Sequence, residues 1–297
     1  AARQPAGGTG AETSADACSD GQDNDGDGLV DCADVACSVY PWCTGTDGAD
    51  LPADVAPDAG PGCSDPIDVV FVIDVSTSMA DDVSAIRMAV DTIWSATAAL
   101  SANPQFSLVV FVDDELAVNG CAPFATVADL QSELARWQAF CSTNGNPGGS
   151  AGSNSDCPEN SIDALYVAAT ACPWRPGATR IVIHVTDDTF AERPALLSGF
   201  LGLGGVPVQH TYAETVDALR ASFVRVGALA APGAGEFCGA GTSPNVGQGF
   251  FEPYAGMASL PDQTGGTAWS IREARAGTLD LATAINALIL REYCTIY

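Results

Sequence analysis

Basic residues are scarce in this chain of 297 residues. It contains 11 Lys and Arg against 37 Asp and Glu, which gives a formal net charge of −26 at pH 7. Nucleic acids and anionic membranes bind proteins through basic patches that neutralise phosphate charge. We therefore expect neither nucleic acid nor an anionic membrane surface among its partners.

Long apolar runs are also absent from the sequence. A membrane-spanning helix needs about 18 or more consecutive apolar residues, so we expect no membrane insertion. The first ten residues lack the apolar core of a signal peptide. If the protein is secreted, the signal was removed before this numbering begins.

Histidine is scarce, with two residues, His184 and His210. His184 lies inside an apolar strand and is expected in the core. A Ser-His-Asp triad built on Ser76 or Ser78 therefore has little support, and a metal-dependent hydrolase would lack an obvious general base. We expect a binding protein rather than an enzyme.

Cysteine, in contrast, is abundant, with 11 residues. This number predicts disulfides and an oxidising compartment, which means a secreted or cell-surface protein. Because the number is odd, one thiol is expected to be free or to pair outside this chain.

The segment 18–43 combines four cysteines with a ladder of Asp and Gly residues. Their spacing matches a calcium-binding loop, although Asp replaces the usual Glu at the last ligand position. It resembles the loops of thrombospondin type 3 and dockerin-like repeats; a disordered acidic turn is the alternative. Cysteine pairing within this segment stays open. The predicted calcium ligands are the side chains of Asp23, Asp25, Asp27, Asp31 and Asp34 and the carbonyl of Leu29.

Composition divides the chain into four parts. Residues 1–17 are small and polar and predict a flexible tail. The small Cys/Asp-rich module 18–43 is followed by a Pro-, Ala-, Asp- and Gly-rich linker over 44–62. The large domain covers 63–297.

Buried-strand patterns alternate with helical periodicity along the large domain. Such alternation predicts an α/β fold with a doubly wound, mostly parallel sheet and helices on both faces. We predict strands at 67–73, 106–112, 180–186, 223–230 and 267–271, an edge strand at 117–124, and helices at 81–100, 126–140, 161–171, 191–203, 213–221 and 278–293.

Acidic and hydroxyl residues follow three of the predicted strands. Because the carboxyl ends of parallel strands meet at one edge of a sheet, these side chains are expected to converge. The loop before the helix at 161–171 adds further oxygen atoms. The strand-end residues are Asp74 with Ser76 and Ser78, Asp113 with Asp114, and Asp187 with Asp188.

Carboxylate and hydroxyl oxygens are hard ligands that suit Mg²⁺, Mn²⁺ or Ca²⁺. Crowding so many carboxylates without a Lys or Arg nearby would be strongly repulsive, and divalent cations would neutralise that repulsion. The alternative is a set of turn formers and helix caps, with Ser76 or Ser78 as an N-cap. That alternative explains each residue singly but not their convergence.

The residues 74–82, Asp-Val-Ser-Thr-Ser-Met-Ala-Asp-Asp, resemble the signature of von Willebrand factor A domains, and most closely that of the I-like domain of integrin β subunits. Matches at 111–113, 154–159 and 185–187 extend the resemblance over most of 63–297. It implies a Rossmann-like von Willebrand A fold with three adjacent cation sites.

The central metal-ion-dependent adhesion site (MIDAS) of that family binds Mg²⁺ or Mn²⁺ and keeps one position for a partner carboxylate. The resemblance implies Ca²⁺ in an adjacent site and in a synergistic site. The implied central ligands are Asp74, Ser76, Ser78 and Glu159, with Asp187 through water. The implied adjacent ligands are Asp81, Asp82 and the carbonyl of Ser78; the synergistic ligands are Asp113, Asn154, Asp156, Glu159 and the carbonyl of Pro158.

The resemblance implies a secreted or cell-surface adhesion protein whose partner presents an Asp or Glu carboxylate. The alternative is a structural module whose cations only stabilise loops. It also implies a disulfide between Cys63 and Cys294, since the ends of A domains lie close together. A second disulfide, Cys121–Cys141, would join the ends of an insertion that differs from the integrin specificity loop, and Cys172 would stay free.

Overall fold

The computed structural model describes residue 30 and residues 66–154, 157–198, 204–233 and 245–293. The predicted tail, linker, calcium-loop ligands and Cys63–Cys294 disulfide lie outside the described residues, and so does Asp156. The chain divides into two units, Ala1–Asp58 and Ala59–Tyr297, and the elements described here belong to the second.

The second unit is built on a six-stranded sheet whose strands are β1 (Ile67–Asp74), β2 (Gln105–Phe111), β3 (Glu115–Ala117), β4 (Thr179–Val185), β7 (Val224–Ala230) and β8 (Thr267–Ser270). Two short strands, β5 (Leu196–Leu197) and β6 (Val206–Pro207), form a separate antiparallel pair. The order in the large sheet is β3-β2-β1-β4-β7-β8, and β3 alone runs antiparallel to its neighbour. The central strand β1 is buried along its full length.

Seven helices flank the strands in the described residues: α1 (Ala80–Leu100), α2 (Val127–Phe140), α3 (Ser161–Ala171), α4 (Tyr212–Ala221), α5 (Leu260–Thr264), α6 (Ile271–Arg275) and α7 (Leu281–Glu292). None of them is long and apolar enough to cross a membrane.

The alternation of side chains along β1 separates two hydrophobic cores. Val69 and Phe71 pack on one face with α1, α2 and α7. Val70 and Val72 pack on the other face with α3, α4 and α5. Because successive side chains of a strand point to opposite faces, an all-apolar strand requires helices on both sides. The predicted doubly wound α/β fold is confirmed.

The predicted helix at 191–203 is wrong over its described part. Residues 191–198 form no helix, and β5 lies there instead. The backbone N–H of Ala191 donates to the Glu159 carbonyl at 3.3 Å, and that of Arg193 donates to the His210 carbonyl at 2.9 Å. Pro194 has no N–H to donate. The backbone therefore bonds to distant partners, which apolar periodicity does not reveal.

The predicted edge strand at 117–124 is also wrong, because β3 ends at Ala117. Asn119, Gly120 and Cys121 follow with φ values of 53°, 63° and 61°. Three successive residues in the left-handed region turn the chain sharply and end strand pairing.

The same turn changes the disulfide pattern. Cys121 bonds to Cys172, with 5.1 Å between their Cα atoms, so the predicted Cys121–Cys141 pair and the predicted free Cys172 are both wrong. Cys121 and Cys172 lie in the core shared with α3, whereas Cys141 lies in the core on the other face of the sheet. Cys141 is buried and free, and its Sγ donates to the Trp137 carbonyl at 3.3 Å.

Alkylation and peptide mapping test this assignment. Burial raises the pKa of the Cys141 thiol to about 12, so both access and thiolate formation are suppressed in the folded protein. We expect iodoacetamide to modify Cys141 only after unfolding, without reduction. The Cys121 and Cys172 peptides should need reduction as well. A peptide in which Cys141 is linked to Cys121 would contradict the structure.

His184 lies in β4 as a core residue, as predicted, and is fully buried. Its ring stacks on Phe111 at 5.5 Å between centroids and lies 5.1 Å from the ring of Phe250. Neither ring nitrogen has a hydrogen-bond partner of normal geometry. Burial lowers the pKa of His184 to about 3, and the backbone of Val72 opposes this shift only weakly.

The lowered pKa makes the folded state sensitive to acid. Below the unfolded-state pKa of 6.5 the unfolded chain takes up a proton that folded His184 excludes, so stability is lost as pH falls from 6.5 towards 3. For His184→Leu we expect a smaller decrease in the free energy of unfolding between pH 7 and pH 5, by about 2 kcal/mol. Denaturant titrations at the two pH values measure this.

Phe250→Leu is the matched control, because it removes a neighbouring ring without removing a titrating group. It should keep the pH dependence of the unmodified chain. An unchanged pH dependence in His184→Leu would show that the imidazole is not the acid-sensitive group.

Candidate metal centre

Asp74 is the last residue of β1 and is completely buried. Its Oδ1 accepts a hydrogen bond from the backbone N–H of Ser76 at 2.8 Å, and its Oδ2 accepts one from the hydroxyl of Thr186 at 2.8 Å. Thr186 directly follows β4, which pairs with β1 in parallel. The carboxylate is therefore fixed between the ends of the two central strands.

The two predicted serine ligands lie beside Asp74. The hydroxyls of Ser76 and Ser78 are 3.2 Å apart, and the Ser78 hydroxyl donates to Oδ1 of Asp187 at 2.9 Å. Ser76 begins a short 3-10 turn but makes no side-chain capping bond, and α1 begins after Met79. The capping interpretation of these serines is therefore wrong, and their hydroxyls face the acidic side chains.

Glu159 brings a third carboxylate to this edge of the sheet. Its side chain is buried, its Oε1 accepts a hydrogen bond from Nδ2 of Asn154 at 2.7 Å, and its Oε2 has no hydrogen-bond partner. Its backbone N–H donates to the carbonyl of Thr189, beyond the end of β4, at 2.9 Å. The loop that carries Glu159 is thus held against the strand end that carries Asp187.

Mutual repulsion and burial perturb these acids strongly. Burial, and then the charge of Asp187, raise the pKa of Asp74 to about 7, although hydrogen bonds from Ser76 and Thr186 oppose the shift. Burial, followed by the charges of Asp74, Asp188 and Asp113, raises the pKa of Glu159 well above its usual range. A cation between the carboxylates would remove this penalty on their charged forms.

A network that the sequence did not reveal holds the loops around the centre. The Thr77 hydroxyl donates to Oδ1 of Asn144 at 3.1 Å, and Nδ2 of Asn144 donates to the carbonyl of Asn154 at 2.8 Å. The long predicted loop at 142–158 is thereby joined both to the serine turn and to the residue that orients Glu159. The Asn and Gly content of this segment indicated a loop, but it did not indicate which residues the loop contacts.

Asp114 has a structural role in the same loop. Its carboxylate accepts the backbone N–H groups of Gly148 at 2.7 Å and Ser150 at 2.8 Å. A Cβ on Gly148 would lie 2.7 Å from Oδ2 of Asp114, so glycine is required for this approach. Asp114 therefore positions the loop and does not join the other strand-end acids.

Two of the predicted synergistic ligands, Asp113 and Asn154, lie beside Glu159. The backbone N–H of Asp113 donates to Oδ1 of Asn146 at 3.2 Å, and its carbonyl accepts from Nδ2 of Asn160 at 3.0 Å. The charge of Asp113 acts on Glu159, which Asn154 contacts directly. The structure thus brings Asp113, Asn154 and Glu159 together, whereas Asp156 lies outside the described residues.

A basic side chain, Arg275, lies beside the acids predicted for the adjacent site, which the sequence did not suggest. Asp81 is exposed, whereas Asp82 is buried and bonds to Arg275. One Arg275 nitrogen, Nη2, lies 2.6 Å from Oδ2 of Asp82 and 2.7 Å from Oδ2 of Asp187. Arg275 ends α6, a helix that was not predicted, so the expectation of carboxylates without a nearby Arg is wrong.

The oxygen atoms around Asp74 fit a hard divalent cation, because they combine carboxylates with hydroxyls. In the part of the chain that the structure describes, no three His, Cys, Asp or Glu side chains form a metal-binding group by themselves. The central set instead adds the hydroxyls of Ser76 and Ser78 to the carboxylates of Asp74 and Glu159. The buried Oε2 of Glu159, which has no hydrogen bond, is the feature that a cation would satisfy.

No protein-family model matches the chain, and no curated protein matches it. Among solved structures, the conserved hypothetical protein BatB from Bacteroides thetaiotaomicron matches with a TM-score of 0.44 and 14% identity, over 77% of this chain and 100% of that one. An aerotolerance-related membrane protein from Bacteroides fragilis matches with a TM-score of 0.44 and 13% identity, over 74% and 99%. Proximal thread matrix protein 1 from the mussel byssus matches with a TM-score of 0.41 and 16% identity, over 75% and 46%.

Structural matches with such low TM-scores and identities say nothing about what the site binds. The fold assignment depends on the sheet order and the helices on both faces, which are consistent with a Rossmann-like von Willebrand factor A fold. The finer likeness to integrin β subunits stays a prediction.

Removing the Asp74 charge tests whether a cation is held there. We expect Mn²⁺ at about 100 times its Kd to stabilise the unmodified chain by about 2.7 kcal/mol through this site, and Asp74→Asn to lose that increment. Without metal, Asp74→Asn should be at least as stable at pH 8, because a buried and repelled charge is gone. Thermal unfolding followed by tryptophan fluorescence measures both effects.

Asp91→Asn is the matched control, since Asp91 is an exposed residue of α1. It removes the same charge and should leave the stabilisation by Mn²⁺ intact. Equal stabilisation of Asp74→Asn and the unmodified chain would exclude a cation at Asp74.

Proposed function

We propose that this chain is a divalent-cation-dependent binding protein, secreted or on the cell surface, that captures an Asp or Glu carboxylate of a protein partner. The main support is the convergence of buried carboxylates and hydroxyls at the ends of β1 and β4. The buried Oε2 of Glu159, which has no hydrogen bond, is the single observation that favours a metal over a set of loop caps. The proposed MIDAS ligands are Asp74, Ser76, Ser78, Glu159 and, through water, Asp187.

When bound, Mg²⁺ or Mn²⁺ would supply a Lewis-acidic position for one exogenous carboxylate. The chain's own residues prepare that position. Thr186 and the backbone of Ser76 fix Asp74, and Asn154 fixes Glu159. Ser78 is exposed at the rim, so a ligand can approach the centre from solvent. We further propose Ca²⁺ at the synergistic set and in the N-terminal calcium loop.

The charge of the chain narrows the class of partner. A protein with a formal net charge of −26 repels other acidic proteins at long range. We therefore propose a partner that presents one accessible carboxylate within a basic surface. Such complementarity raises the association rate and makes binding weaken as salt is added.

We propose that the chain binds its partner without a catalytic step. Nδ1 of His210 lies 2.8 Å from Oδ1 of Asp163, which accepts the hydrogen bond, and the His210 ring stacks on Tyr166 at 3.5 Å between centroids. His184 is enclosed in the core. In the described residues the hydroxyls of Ser76 and Ser78 bond to each other and to Asp187 rather than to an imidazole. These contacts support a ligand role for the serines and not a nucleophilic one.

A structural role for the cation is the competing function. The loops around the centre are closely joined through Asn144, Asn154 and Glu159, and a metal could serve only to hold them. Both functions require the ion. They differ in whether one coordination position can exchange.

Water-proton relaxation in the presence of Mn²⁺ distinguishes the two functions. For the full chain we expect bound Mn²⁺ to enhance relaxation, because water exchanges at the open position. Adding acetate as a carboxylate probe should decrease that enhancement in a saturable way. Bound Mn²⁺ whose enhancement does not respond to acetate would instead favour the structural module.

The Asp74→Asn chain serves as the control for ions bound elsewhere, including the N-terminal loop. Its residual relaxation enhancement should be insensitive to acetate. An acetate response of equal size in Asp74→Asn would assign the exchangeable position to another site and overturn the proposal.

A further inference from the structure

Arg275 is the one basic side chain that the described residues place against the candidate centre. It ends the short helix α6, which directly follows β8. The sequence contains no lysine, and arginine supplies all basic side chains. A positive charge beside these acids is therefore always a guanidinium, which stays charged at every physiological pH.

The contacts of Arg275 are those of a bridging cation. Its Nε lies 3.1 Å and 3.2 Å from the two carboxylate oxygens of Asp82, and its Nη2 lies 2.6 Å from Oδ2 of Asp82. The same Nη2 donates to Oδ2 of Asp187 at 2.7 Å. Asp187 uses its other oxygen, Oδ1, for Ser78. Arg275 thus joins the acid of the predicted adjacent site to an acid of the predicted central site.

Asp82 is fully engaged by this pairing. It is buried, and the guanidinium of Arg275 contacts both of its carboxylate oxygens. A buried acid needs one compensating charge, and the guanidinium provides it with several hydrogen bonds. A divalent ion at the same carboxylate would be repelled by the guanidinium within a few ångströms. The residues present therefore do not fit a Ca²⁺ ion at Asp81 and Asp82.

We infer that Arg275 replaces the adjacent cation and acts as a covalently attached counter-ion of Asp82 and Asp187. The centre then binds one divalent ion fewer than the resemblance to integrin β subunits implies. This inference depends on the side-chain contacts and not on the proposed capture of a carboxylate. Arg275 is a positioning residue, since it acts on the central site through the orientation of Asp187.

Counting Ca²⁺ ions per full-length chain by native mass spectrometry tests the inference. Arg275→Gln should bind one more Ca²⁺ than the unmodified chain, because Asp82 becomes available. The double variant Arg275→Gln with Asp82→Asn should lose the additional ion. Asp82→Asn alone should leave the number unchanged. Arg272→Gln, a substitution in the same helix, is the matched control and should also leave it unchanged.

Two results would overturn the inference: loss of an ion in Asp82→Asn alone, or an unchanged number in Arg275→Gln. If Arg275→Gln does not fold, Mn²⁺-soaked crystals of the unmodified chain decide the question. An anomalous peak within coordination distance of the Asp82 carboxylate would contradict the role of Arg275, and its absence beside an ordered Arg275–Asp82 pair would support it. Failure of the proposed function would give a different result from failure of this inference. Asp74→Asn would then bind the same number of ions as the unmodified chain.

Discussion

The placement of one carboxylate in a dry interior is the constraint on which the candidate centre depends. Asp74 ends a strand buried on both faces, so water cannot solvate its charge. Compensation has to come from neighbouring strand ends and loops, and Ser76 and Thr186 supply hydrogen bonds but no positive charge. The serine turn, the long loop with Asn144 and the segment with Glu159 are all arranged around that deficit.

The sequence predicted the features that follow from local patterns. The apolar run of β1 and the polar residues after it located the sheet edge, because strand period and strand-end chemistry depend on adjacent residues. Arg275 escaped prediction because it contacts Asp82 across 193 residues, from a helix of one turn. The predicted partner of Cys121 was wrong for a similar reason. Whether a cysteine faces one core or the other depends on a three-residue turn whose left-handed geometry apolar periodicity does not encode.

The acidic side chains at this edge of the sheet differ in whether a basic side chain compensates their charge. Asp82 is neutralised by a side chain that is part of the polypeptide, whereas Asp74 and Glu159 are left with raised pKa values and no basic partner among the described residues. A fixed counter-ion stabilises at any ion concentration but cannot be exchanged. The burial of Asp74 and Glu159 is not compensated by any basic side chain of the described residues. The contact between α1 and α6 thus carries its own counter-ion, whereas the ends of β1 and β4 do not.

The two edges of the large sheet are both short. β3 has three residues and β8 has four. Strand addition requires an extended row of unpaired N–H and C=O groups, and edges of this length offer few. An incoming peptide therefore gains little by lengthening the sheet, and the short edge strands also protect the chain against edge-to-edge aggregation.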